Sequence, residues 1–292
     1  MDVGDRRYRR DVRAGEARAQ MVIAGFVGII AAAGQRMAFS IEAHFVGLAM
    51  APVLASSLAG AGAALVLGAR QGKYNRDGSA NILPGHNLTL QLLGTLVLAL
   101  LLPAAMGMSG DKPIAGVLLG SSAAICAAAV WTGLRFGKVD VLLCSAAALA
   151  GALAGAVAGG SFAPWLAIVV GAVLGVLTPW FSVQIDLRYR IDDPGGLVSP
   201  LGMAFVAILI LMFVSITRGE NALLAGKIIG LMLGTAVVMT VGVVAICLAL
   251  KSINKLREDE DDEYEGLDLS RHDINAYPDF QQTMIKSYHL RQ

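Results

Sequence analysis

The chain has 292 residues, of which 56% are hydrophobic and 15% charged, with a mean hydropathy of +0.65. A soluble domain carries about 25% charged residues, so the composition excludes a disordered chain and argues against an ordinary soluble enzyme. Three Cys in this length exclude a disulfide scaffold. The formal net charge of +1 hides an uneven distribution: from Gln20 to Leu250 the acids are Glu42, Asp77, Asp111, Asp140, Asp186, Asp192, Asp193 and Glu220, and the rest sit at the two ends. A long, nearly acid-free middle between polar ends predicts a polytopic membrane protein.

The first segment, residues 1–19, is basic, with Arg6, Arg7, Arg9, Arg10, Arg13 and Arg18. It lacks the short apolar core and small-residue cleavage site of a signal peptide. A crossing helix needs roughly 20 apolar residues. Candidate spans follow at about 20–35, 42–69, 88–107, 114–134, 141–159, 163–184, 197–217 and 222–250. The first is short and broken by Gln35-Arg36, and the second contains Pro52, where a bend is expected. These runs are continuous and rich in Ala, Leu and Gly rather than alternating with period two, so an all-α bundle of about eight helices over 20–251 is expected, not a β-barrel. Residues 252–292 form a tail with seven acids between Arg257 and Glu265.

Basic residues alternate between the connections. Arg70, Lys73 and Arg76 follow the second candidate span, Arg135 and Lys138 the fourth, Arg188 and Arg190 the sixth, and Lys251, Lys255 and Arg257 the last. The intervening connections are poorer, and the pattern puts the C-terminus on the cytoplasmic or matrix side. That fits a plasma or inner membrane, or the mitochondrial inner membrane. Gly151, Gly155 and Gly159, four apart, predict a helix that packs closely on its neighbours.

Several stretches carry a resemblance. Gly85-His86-Asn87-Leu88-Thr89-Leu90 is followed by Leu93-Gly94-Thr95. Arg135-Phe136-Gly137-Lys138-Val139-Asp140 forms a loop motif. Ile191-Asp192-Asp193-Pro194 precedes the seventh span. Gly266-Leu267-Asp268-Leu269-Ser270-Arg271-His272 runs on to Ala276-Tyr277-Pro278 in the tail. Together with Gln35-Arg36-Met37-Ala38-Phe39-Ser40, and in this order, they resemble the ammonium transporter family (the Amt/Mep/Rh group). The resemblance covers roughly residues 20–280 and implies that family's helical bundle, shortened on its N-terminal side.

It also implies a site. The family moves ammonium through a narrow apolar pore, with recruiting aromatic groups at the outer mouth and two pore histidines that support proton transfer. A bare cation in hydrocarbon is very costly, so such a path needs polar relay atoms. Counted from the motifs, the gate aromatic falls on Ala105, one pore histidine on Leu201 and the other near Val53. His86 and His272 lie in loop and tail motifs, and His44 near Glu42 is the histidine placed inside a span. Lys227 can snorkel to the interface. Asp192 and Asp193 are expected to cap the following helix. Cys126, Cys144 and Cys247 read as small apolar residues, no metal spacing or phosphate loop is present, and Asn87-Leu88-Thr89 lies on the expected inner side, away from glycosylation.

The function implied is therefore that of a diverged ammonium-transporter-like protein that does not conduct and acts as a structural or accessory subunit of a membrane complex. The alternative is an active ammonium or ammonia channel with a rearranged pore. No paired carboxylates or activated nucleophile support an enzyme, and no cofactor, metal or nucleic acid is expected. The expected partners are the lipid bilayer and either a heteromeric complex or, by family resemblance, a homotrimer.

Overall fold

The computed structural model describes residues 22–33, 51–75, 79–81, 88–105, 110–218, 222–253 and 256–257. Among these, the chain is helical apart from loops and a single bridge between Tyr74 and Ala80. The helices are α1 Val22–Ala33, α2 Ala51–Leu67, α3 Leu88–Ala105, α4 Asp111–Phe136, α5 Val141–Ser161, α6 Pro164–Leu187, α7 Val198–Thr217 and α8 Ala222–Ser252. The five from α4 to α8 are long and apolar enough to cross a membrane, and α1, α2 and α3 contribute shorter apolar stretches. The candidate spans from 88 onward thus coincide with helices to within a few residues. Pro52 is the second described residue of α2, so the bend expected there adjoins residues outside the described ones.

Local chemistry sets several helix ends. The Asp140 carboxylate accepts from the backbone N–H of Leu142 and Leu143 at 2.9 and 3.1 Å, capping α5. Gly137, with φ of +74°, ends α4 by returning its N–H to the Gly133 carbonyl. Pro164 opens α6, where its missing N–H is not needed. Pro179 inside α6 removes one donor from the helix ladder. Beside it, Ser199 Oγ of α7 donates to the Thr178 carbonyl at 2.9 Å, a cross-helix bond that ties α6 to α7.

The bundle is built around α5. Every residue from Ala147 to Gly159 is buried, so this helix is covered on all sides. Its main neighbours are α4 and α6, which also pack on each other, with α7 and α3 completing its surroundings; α8 packs chiefly on α2. Glycine permits the close approach. A Cβ on Gly120 would meet the Gly151 carbonyl and the Gly155 Cα, and one on Gly171 would meet the Gly120 backbone. A Cβ on Gly159 would lie 2.7 Å from the Gly116 Cα. The Gly151, Gly155 and Gly159 stripe therefore faces Gly116 and Gly120 of α4, while α6 approaches the same stretch of α4 through Gly171 and Gly175. On the other side of the molecule Phe26 of α1 sits over Gly242 of α8.

Candidate functional site

Two of the positions that the family resemblance matched to pore residues, Leu201 and Val53, lie among apolar side chains. Leu201 is buried on α7 in one apolar cluster with Leu54, Leu149, Phe205 and Met232, and Val53 of α2 packs against the same cluster. A Cβ on Gly60 would come to 4.0 Å from Val198, and one on Gly202 to 3.7 Å from Ser57 Oγ. This antiparallel register of α2 and α7 sets Val53 level with Phe205, about one turn beyond Leu201. The hydroxyls here are used within their own helix: Ser56 Oγ donates to the Val53 carbonyl and Ser57 Oγ to the Leu54 carbonyl, the latter at 2.7 Å. Ala105 is the last described residue of α3. Lys227 is exposed on α8.

Charge is concentrated where α2, α4, α6 and α8 end and α3, α5 and α7 begin. The segment after α2 turns at Gly68 and Gly72, whose φ values of +80° and +74° favour glycine. It carries Arg70, Lys73 and Tyr74 across to the end of α6 and the start of α7. Arg70 grips Asp192 in a fork: Nε reaches Oδ2 at 2.7 Å, Nη2 reaches Oδ1 at 2.9 Å, and the Arg70 backbone N–H adds a third bond. Lys73 pairs with Asp186 at 3.0 Å, and the Tyr74 hydroxyl donates to the same carboxylate at 3.0 Å. Asp193 turns the other way and accepts the Val198 N–H at 2.8 Å at the start of α7. The expectation that both aspartates cap the helix thus holds in geometry for Asp193, while Asp192 serves an ion pair. Pro194 lies exposed in the turn between them and α7.

These partners set opposite protonation preferences. Burial pushes the Asp192 carboxyl up, but the Arg70 guanidinium and N–H outweigh it and hold the group below the usual carboxylate range. Burial dominates at Asp193 and raises it, although the N–H groups of Val198, Leu197 and Gly196 pull the other way. The Tyr74 hydroxyl is pushed up by burial and by its bond to Asp186, so it stays a donor. Beneath this cluster is a cavity of about 510 Å³, walled by Leu149 and Ser145 of α5, Ser182 of α6, Thr95 of α3 and Ser199 of α7. The clamp ties the segment after α2 to α6 and α7, and its residues line part of that cavity.

His44, His86, Asn87, Gly266, Asp268, Ser270, His272 and Tyr277 lie outside the described residues. Among the described residues, no His, Cys, Asp and Glu are grouped to hold a metal. Sequence reasoning counted Arg70 and Lys73 only as loop cations, and missed Tyr74 and Asp186. The partners are more than a hundred positions apart in the chain, and no motif spacing joins them.

A family model described as Ammonium Transporter Family matches residues 46–277. The ammonium transporter Amt2 of Haloferax mediterranei is 32% identical over 247 residues, covering 76% of this chain and 54% of that protein. Amt2 of Archaeoglobus fulgidus is 27% identical, covering 75% of this chain and 52% of its own length. Ammonium transporter 3 of Dictyostelium discoideum is 27% identical, covering 80% and 60% respectively. This chain therefore spans about half the length of the curated relatives it matches. A solved structure titled Sensor Amt Protein superposes with a TM-score of 0.63 at 19% identity, over 78% of this chain and 60% of that one, which shows a shared fold. With more than half of its length matched by the family model, and with five helices able to cross a bilayer, this chain is an integral membrane protein that belongs to the ammonium transporter family.

Proposed function

We propose that this member of the family does not pass ammonium through its own helices and acts as a structural or accessory subunit of a membrane assembly, with its C-terminus on the cytoplasmic or matrix side. What supports the reading is the apolar packing at Leu201 and Val53, two of the positions that the family resemblance matches to pore residues. Leu201 is 8% exposed within the apolar cluster, and Val53 packs on the same cluster. An ammonium ion there would lose its hydration without gaining acceptors. Neutral ammonia would meet close-packed side chains instead of an open path.

Proteoliposomes holding a trapped pH dye test this directly. With an inward ammonium gradient, the expected rate of internal pH change equals that of protein-free vesicles. A protein-dependent change, lost on mutation of the core, overturns the proposal and supports the second reading, an active channel with a rearranged path. That reading takes its support from the relatives, which are named ammonium transporters. Native purification separates the assemblies: a heteromeric complex supports the accessory role, and a homotrimer alone counts against it.

A further inference from the structure

Helix α8 has two unlike faces. Ile228, Met232, Met239 and Val243 are buried in the core of the bundle, on the side where α2 and α7 pack. On the opposite face Leu223, Val237, Val241 and Leu248 are exposed and form one apolar stripe along the helix. Set into that stripe, four residues apart, are Gly226, Gly230 and Gly234, all exposed. A Cβ on any of the three would meet nothing within 4 Å. The same spacing on α5 is filled, because Gly151, Gly155 and Gly159 lie against the backbone of α4. At Gly242 of α8 itself, Phe26 of α1 takes the space. The notch centred on Gly230 thus has the shape of a helix-docking surface, and no described part of this chain occupies it.

Charge adds a second, independent feature. Lys227 is exposed beside the notch, three residues and about 5 Å along the helix axis from Gly230. Among the described residues, no carboxylate pairs with it. An ammonium near the end of an apolar helix is costly unless it reaches the interface or a counter-charge. A second copy of this chain cannot supply that charge. Copies insert in the same orientation, so two α8 helices crossing at Gly230 would run parallel and bring Lys227 against Lys227, a like-charge contact. A different helix with a carboxylate at that level fills the notch and neutralises the lysine at once.

We propose that this face of α8 seats a transmembrane helix of another protein, packed on Gly226, Gly230 and Gly234 and carrying a carboxylate that pairs with Lys227. Glycine lets two helix backbones come close, and in lipid that close packing drives association where no hydrophobic force between helices exists. Val237 and Val241 continue the stripe with side chains held in one rotamer on a helix, so docking costs them little entropy. The ion pair sets the register and selects the partner. This face lies opposite the side of α8 that joins the cluster around Leu201. The proposal therefore stands whether or not the chain passes ammonium.

The test uses the full chain, donor-labelled, in dioleoylphosphatidylcholine vesicles, with association of acceptor-labelled synthetic helices read by energy transfer. The probe is a Leu/Ala helix of about 24 residues, with two glycines four residues apart and a Glu one turn from the first. Its twin carries Gln in place of that Glu. The Glu helix is expected to bind about tenfold more tightly than the Gln twin. Lys227→Gln is expected to remove the difference, and Lys227→Arg to keep it. Gly230→Ile fills the notch and is expected to weaken both helices by at least about tenfold. Because a Cβ there meets nothing within 4 Å, its thermal midpoint should match the parent's. Equal binding of the Glu and Gln helices overturns the proposal, as does undiminished binding by Gly230→Ile. Energy transfer between two labelled copies of the chain, abolished by Gly230→Ile, would assign the face to a second copy and also overturn it. So would a failure of both helices to associate, which marks the face as covered by lipid alone. If Gly230→Ile does not fold, the two Lys227 variants still decide. None of these readings measures ammonium flux, so a failure here is distinct from a failure of the proposed function.

Discussion

Replacing Leu201 with histidine would put an imidazole into the cluster that holds Leu54, Phe205 and Met232. In a filled core the ring is left short of partners, and the expected cost is about 2–4 kcal/mol. Along a wetted path the same ring would be hydrated and tolerated. A fall of several degrees in the thermal midpoint of Leu201→His, with no gain in ammonium flux, is the expected outcome; an unchanged midpoint would show that water reaches the site. Asp192 and Asp193 offer a second contrast. Asp192→Asn removes the charge that Arg70 grips at two points, and about 2 kcal/mol of stability should be lost at neutral pH. Because Asp192 is held low in the folded chain, its contribution is complete at neutral pH and fades as pH falls below about 4, through its folded-state value. Asp193 is held high, so its contribution is full below about 4 and is lost as pH rises through the raised value. Asp193→Asn keeps an acceptor oxygen for the Val198 N–H and has no charge to desolvate. Its midpoint at pH 7 is expected to equal or exceed the parent's, and a midpoint as low as that of Asp192→Asn would overturn this assignment.

The helices themselves were largely legible in the sequence, and their neighbours were not. Hydropathy places 114–134, 141–159, 163–184, 197–217 and 222–250 because each run is long enough to span and is bounded by charged or turn-forming residues. The Gly151, Gly155 and Gly159 stripe announces close packing, but nothing in its spacing says that Gly116 and Gly120 receive it or that Gly171 comes in beside them. The matching of Val53, Ala105 and Leu201 to pore positions rests on motif spacing alone. The clamp of Arg70 on Asp192 was not legible, since periodicity describes one helix face and carries no information about which loops meet. Substitution at glycine tests the packing argument at this scale. Gly120→Val would drive a branched side chain into the backbone of α5, which cannot yield cheaply, and a loss of at least about 2 kcal/mol is expected. Gly94→Ala on α3 meets nothing within 4 Å, and should be neutral or stabilising by up to about 1 kcal/mol through the gain in helix propensity. Comparable midpoints for the two variants would mean that the glycine seam does not hold the bundle together.

Across the whole molecule, packing falls off from α5 outward. Its middle is enclosed by α3, α4, α6 and α7, whereas α3 leans mainly on α5 and barely touches α4. Leu90, Leu93, Leu96, Val97, Leu100 and Leu101 of α3 are all exposed. Within the described chain, therefore, α3 can leave the bundle by giving up few buried contacts, while α5 cannot open without separating its neighbours. Backbone hydrogen bonds exist in both helices, so the difference is one of opening free energy rather than of secondary structure. Hydrogen–deuterium exchange of the detergent-solubilised chain should then show a gradient, with α3 amides exchanging well before those of residues 147–159. The charge clamp at the basic end should oppose that opening, because Arg70 and Lys73 fasten the segment that leads into α3 onto α6 and α7. Asp192→Asn is accordingly expected to speed exchange in α3 more than in α5. Equal protection in the two helices would contradict the packing gradient, and an equal acceleration in both would show that the clamp holds the bundle as a unit instead of restraining α3.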